Sequence, residues 1–357
     1  MINIHVLSPG FTNPNSTAFL MPFIIFRSAL KEAGYHIRIF SDYKDGIEAC
    51  DYLFIDSKTH KKDWNARYDQ TLEKLSYYNA KTKVIWCDQA DSSGTFLGQV
   101  LPHIHKYLKA QLLKDRNQYL KSHYASRIYA QYYHEKYGIQ DEQAYIQEPV
   151  KDQKDLSKLD ISWNSGLMNY GLFGPYSQRL REHIPINALL YFAKPLRKAS
   201  AERPMDITCR MGISYPRETM RFQRLKIREL LKDHLPTNKL SRRAYFKELC
   251  ESKICISPFG LGEITLKDFE CFLTGSLLLK PQMNHMQTWP NLYEDKVTYI
   301  AHSWDLDDVL EQIEWALNHE KERIEIAQNG QNRYLDYTLG LGASDRFVEH
   351  FKQIITT

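Results

Sequence analysis

The chain has 357 residues, 43% hydrophobic and 25% charged. That composition excludes a disordered polypeptide, and the length exceeds one ordinary core, so two domains are expected. The formal net charge of +4 suits an anionic small ligand or an anionic membrane surface and is too weak to argue for nucleic acid.

The start, MINIHVLSPG, has neither a basic n-region nor a long apolar h-region and reads as cytoplasmic rather than secretory. Residues 19–26 form a short apolar run broken by Pro22, too short to span a bilayer. The cysteines at 50, 87, 209, 250, 255 and 271 contain no CxxC pair and no zinc spacing with His. They read as free thiols of a reducing compartment.

In chain order, 2–7 is a strand and SPGFTNPNS a polar loop in which Gly10 allows close approach. A helix follows over 17–33 with Gly34 as its cap. Strands are predicted at 36–40, 52–55 and 83–87, a helix at 64–78, and a long aromatic, helical region at 97–137. Residues 150–200 are irregular. The alternation then restarts, with strands at 206–209, 253–257 and 297–300 and helices at 216–234, 243–251, 305–318, 320–337 and 343–355. Strands alternating with helices argue for parallel sheets covered on both faces. The expected division is 1–190 and 191–340 as two α/β domains, with 341–357 as a final helical segment.

The most informative stretch is CISPFGLGEITLKDFECFLTGSLLLKP, residues 255–281. Thr265-Leu-Lys-Asp268 has capping-box spacing, so a helix starts near Thr265. Gly260, Gly262 and Glu263 then lie in the preceding loop, where free N–H groups and the helix dipole make an anion site. Lys267 and Glu270 share one face of the first turns. A nucleoside diphosphate needs such a set: Lys267 for a phosphate and Glu270 for the ribose hydroxyls. The same pair also reads as a solvated helix couple.

This run resembles the donor-site segment of GT-B glycosyltransferases of the exostosin-like and spore-coat-type group. The resemblance implies two Rossmann-like domains facing a central cleft, a C-terminal helix crossing back to the first domain, and Glu270 on the donor ribose. Lys267 stands where Arg is more usual. Six residues separate Glu263 from Glu270, where many retaining members have seven, which leaves the stereochemical outcome open. The implied donor is a nucleotide sugar used as co-substrate, with no cofactor. The acceptor is a glycan or glycolipid of a surface polysaccharide, met at the inner face of a membrane.

Other residues fill in the site. Arg210 and Arg217 follow a strand and open a basic helix, as phosphate candidates. Arg224 and Arg228, further along that helix, read as a solvated stripe. Asp88 and Asp91, in the loop after the strand at 83–87, are candidates for the general base. His285 is a candidate sugar or acceptor contact. Asp305-Leu-Asp307 spells DxD, but Asp305 and Asp308 read as helix caps, so no metal site is inferred. A dinucleotide-binding oxidoreductase is disfavoured. Gly260-Leu-Gly262-Glu-Ile-Thr265 has Thr where GxGxxG has its third glycine, and no ribose acid follows about twenty residues on. A non-catalytic nucleotide- or glycan-binding protein is the alternative on the same fold.

Overall fold

A computed structural model describes residues 1–61, 64, 67–184, 186–231 and 235–356. In the first half the strands are β1 (Ile2–Leu7), β2 (Tyr35–Phe40), β3 (Tyr52–Asp56), β4 (Lys83–Asp88), β5 (Lys106–Lys109), β6 (Gln111–Leu113) and β7 (Leu159–Ile161). All but β6 form one six-stranded sheet in the order β2-β1-β3-β4-β5-β7, parallel at every pairing. The helices are α1 (Pro14–Ile25), α2 (Arg27–Glu32), α3 (Tyr68–Asn79), α4 (Ile128–Tyr137) and α5 (Gly174–His183). Val6, Phe54, Ile85 and Leu108 have no or almost no exposure, as strands covered on both faces require.

The second half has β8 (Met205–Thr208), β9 (Ser252–Ile256), β10 (Leu277–Pro281), β11 (Met286–Thr288) and β12 (Ile300–His302). A four-stranded parallel sheet runs β12-β10-β9-β8. Its helices are α6 (Glu218–Leu231), α7 (Arg242–Glu251), α8 (Leu266–Thr274), α9 (Val309–Asn318), α10 (Glu320–Thr338) and α11 (Ala343–Thr356). Two Rossmann-like domains therefore stand in tandem, as expected from the alternating pattern.

Two elements tie the domains together. β11 pairs antiparallel with β6, Met286 opposite Leu113. α11 crosses back onto the first domain: Phe351 meets Phe23, Tyr35 and Phe54, and Phe347 meets Phe26 and Trp163. Each of these two buried phenylalanines contributes roughly 2–3 kcal/mol through removal from water. One continuous apolar core runs from β1 through Trp163 to Phe269 and Phe351.

Several local expectations change. The helix at 17–33 starts earlier, at Pro14, because the Asn13 side chain caps Ser16 N–H and Pro14 presets the first turn. It also breaks at Phe26 into α1 and α2. The region 97–137 is not helical throughout. It holds β5, β6 and short 3₁₀ turns, and only 128–137 is α-helix, because its aromatics serve the sheet and the domain junction. The strand expected at 297–300 lies at 300–302. Of the predicted helices, parts of 64–78 (65 and 66) and of 216–234 (232–234) fall outside the described residues. Among the described residues no helix is long and apolar enough to cross a membrane.

Candidate active site

The loops that follow β1, β4, β8 and β9 converge on one cleft of about 430 Å³ between the domains. Ligand sites of open parallel sheets form at the carboxyl ends of strands, and here both sheets point theirs at the same space. The first domain contributes Pro14, Asn15 and Asp91; the second contributes Arg210–Gly212, Ser257–Gly262 and Thr265–Lys267.

The second-domain wall is cationic. Thr265 N–H donates to Asp268 Oδ2 at 3.0 Å and its hydroxyl to Oδ1 at 2.9 Å, which fixes the start of α8 at Leu266. Thr265, Leu266 and Lys267 thus bring the N-terminal end of α8 to the cleft lining. Lys267 is half-buried there, its ammonium donating to the carbonyls of Arg210 and Ile256, and among the described residues it has no carboxylate partner. Arg210 is held by Glu248, with Nη2 to Oε2 at 2.6 Å and Nε to Oε1 at 2.8 Å. Arg224 is not on a solvated stripe. It is buried in the cleft wall, bound to the Phe259 and Gly212 carbonyls and stacked over Tyr215, because α6 turns that face inward.

Gly260 and Gly262 line the cleft. A Cβ on Gly262 would stand 1.7 Å from the Asp91 carbonyl oxygen, so only glycine fits where the domains touch. Glu263 does not face the cleft. It is fully buried against the first domain, accepting from Ser93 N–H at 2.9 Å, Ser93 Oγ at 2.6 Å and Ser92 Oγ at 3.2 Å. His285 Nε2 lies 3.5 Å from Glu263 Oε1. Burial disfavours the charged carboxylate, but His285 and the serines outweigh it and hold its pKa near 2 ("about 2" against an ordinary 4.5). His285 thus meets Glu263 rather than open cleft, and its ring packs edge-on to Trp304.

Glu270 sits one turn along α8, behind the cleft lining. It pairs with Arg242 at 3.2 Å, while burial pushes its pKa up and Arg242 opposes the shift. Arg242 also donates to the carbonyls of Tyr170, Gly171 and Leu172. Arg217 lies within electrostatic reach of Arg127 and Asp91, and its Nη1 is buried with no hydrogen-bond partner. Burial lowers its pKa.

The two aspartates after β4 separate clearly. Asp88 is buried, accepting from Lys109 Nζ at 2.9 Å and Tyr107 OH at 2.8 Å. Asp91 is exposed at the cleft, with Asn15 Nδ2 on its Oδ1 at 2.9 Å. Gly10 has φ +77° and open space around it, in the loop whose neighbours Pro9 and Thr12 line a second cavity. That cavity, about 910 Å³, opens beside the cleft on the first domain and shares Pro14, Asn15 and Asp91 with it. Lys58, Lys61, Arg67 and Lys74 face it against Asp42 and Asp91.

Asp305 is not a helix cap. It accepts from Tyr132 and Tyr137 of α4 at 2.6 and 2.8 Å, and α9 begins after Asp308. Sequence reasoning missed Arg127 and Tyr129, which grip the carbonyls of Leu261 and Gly260 at 2.9 Å each. Only the aromatic and basic density of 124–137 hinted at them.

No family model matches the chain, and no curated protein matches it either. Solved structures resemble it weakly over nearly its full length. An Anabaena HepE in complex with UDP and glucose is 8% identical with a TM-score of 0.43, covering 99% of this chain and 100% of that one. A glycosyltransferase from Rickettsia africae is 10% identical with a TM-score of 0.46, covering 100% and 99%. The sucrose-phosphate synthase of Thermosynechococcus elongatus is 10% identical with a TM-score of 0.44, covering 99% of each. At this level of similarity the function rests on the chain's own site.

Proposed function

We propose that the chain is a glycosyltransferase, moving a hexosyl or deoxyhexosyl group from a nucleoside-diphosphate donor to a hydroxyl of a glycan in surface-polysaccharide assembly. One observation carries the reading: a cleft with a helix N-terminus and Lys267 on one wall and the accessible carboxylate of Asp91 on the other. Anion and base are what the two ends of such a transfer need.

In a single displacement the acceptor hydroxyl gives its proton to Asp91 while its oxygen bonds the anomeric carbon. The bond from that carbon to the β-phosphate oxygen breaks, and its electron pair leaves with the diphosphate. The first N–H groups of α8 and Lys267 stabilise that charge. Arg210, already paired with Glu248, positions Lys267 through its carbonyl. The Glu270–Arg242 pair, behind the cleft lining, braces the wall that would receive the ribose end of the donor. Asp88 has a supporting role, since Lys109 and Tyr107 occupy its carboxylate.

The test is nucleoside-diphosphate release from a panel of nucleotide sugars, with and without glycan acceptors. Release that falls at least ~100-fold in Asp91→Asn supports the reading, in line with the usual size of general-base catalysis. Nucleotide binding with no release from any donor favours a non-catalytic binding protein instead.

A further inference from the structure

An amphipathic helix on a soluble surface turns its apolar stripe inward. α5 does the reverse. Tyr176 and Leu180 are four residues apart, and Phe173 and Ile184 extend the same face at either end. All four are exposed, Phe173 at 67% and Tyr176 at 61%. The opposite face, turned to the protein, carries Ser177 and Gln178, with Gln178 donating to the Asn169 carbonyl at 3.1 Å. The apolar exposure continues beyond the helix with Ile186, Tyr191 and Leu196. Contiguous apolar surface of this kind marks an interaction site.

Charge says what covers it. Residues 173–198 contain five Lys or Arg (179, 181, 194, 197, 198) and one Glu (182), a net of 5 − 1 = +4. The whole chain carries +4, so everything outside this segment sums to zero. Arg179, Lys194 and Lys198 are exposed beside the apolar residues. Two copies meeting through this face would oppose like charges, whereas an anionic bilayer matches both the apolar and the cationic part.

The segment also touches the loop after β1 that leads to the cleft. Arg181 lies over the Phe11 ring of the loop after β1, 5.1 Å from its centroid, and Arg242 holds the carbonyls of 170–172 that lead into α5.

We infer that α5 together with residues 186–198 forms a docking surface for an anionic lipid bilayer. The inference is independent of the reaction assigned to the cleft.

The experiment is flotation of the full chain with vesicles of phosphatidylglycerol and phosphatidylcholine, and with phosphatidylcholine alone, at low and high salt. The wild type should float with the anionic vesicles at low salt and lose most of that binding at high salt. The double variant Tyr176→Ser, Leu180→Ser removes solvent-facing side chains, and circular dichroism checks that it stays folded. It should bind at least tenfold more weakly, and Arg179→Ala with Lys194→Ala should lose the anionic preference. Diphosphate binding in the cleft should be unchanged in both, which separates this surface from the site. Failure of the wild type to float, or equal flotation of the folded double variant, overturns the inference. So does a sedimenting dimer that the double variant dissolves without any vesicle binding, which assigns the face to a second copy.

Discussion

The Glu263 carboxylate of the second domain accepts a hydrogen bond from the backbone N–H of Ser93 in the first, across 2.9 Å and 170 residues of sequence. It is the buried centre of the domain contact, and it sits at the head of the same loop that builds the cleft. Closure of the domains and formation of the anion site are therefore one event at 260–267.

That contact is pH-sensitive in a fixed direction. The folded carboxylate titrates at about 2 against 4.5 for the free group, so its contribution is fully present above pH 4.5. It is lost as pH falls through the folded value, and a shift of this size corresponds to about 3 kcal/mol. Urea unfolding of the wild type should weaken by about 2 kcal/mol between pH 5 and pH 3, with the remainder lost as pH falls towards 2, and Glu263→Gln should flatten the dependence. Equal slopes in the two proteins would remove Glu263 from the account.

Gly262→Ala places a methyl group against the Asp91 carbonyl. The variant should be destabilised by about 2 kcal/mol or more, as overpacked contacts are. Small-angle scattering should show a larger radius of gyration. An unchanged radius and midpoint would mean that the loop yields without parting the domains.

The two aspartates should behave as opposites. Asp88→Asn leaves the Lys109 ammonium buried without its carboxylate and should cost about 3–5 kcal/mol of stability. Asp91→Asn is exposed and should leave the unfolding midpoint within about 0.5 kcal/mol of wild type while abolishing turnover. Chemical denaturation beside the release assay separates the roles, and a stable, active Asp91→Asn would take the base away from this position.

Much of this was legible locally. The strands of both sheets show as apolar runs, and the α8 start shows because Thr265 and Asp268 are three residues apart and satisfy each other's backbone. What was hidden is what depends on distance in sequence. Glu263 looked like a donor ligand because nothing nearby names Ser92, Ser93 and His285 as its partners. Arg224 looked solvated because a spacing of 4, 3 and 4 gives a face but not which way that face turns. The same limit applies to 97–137, where aromatic density reflected the junction core rather than helix. Asp88 and Asp91 are told apart only by Lys109, on the next strand, which pairs with Asp88.

Lys267 is a cleft-lining cation whose ammonium donates to the carbonyls of Arg210 and Ile256. Lys267→Ala should weaken nucleoside-diphosphate binding about 10- to 100-fold, the range of one charge-assisted contact. Arg221→Ala, in an exposed pair with Glu218 on the same domain, should not change it. Titration calorimetry reads both, and equal affinities in the two variants would place the phosphates elsewhere.

The most direct measurement is thermal stability with UDP, GDP, dTDP and ADP, using CMP as the monophosphate control. A ligand at a hundred times its dissociation constant adds about 2.7 kcal/mol to the folded state. The account predicts that at least one diphosphate raises the midpoint, that CMP does not, and that Lys267→Ala and Glu270→Ala each shrink the shift. No shift with any diphosphate would contradict it, leaving the loop at 260–267 as a domain contact capped by an ordinary helix.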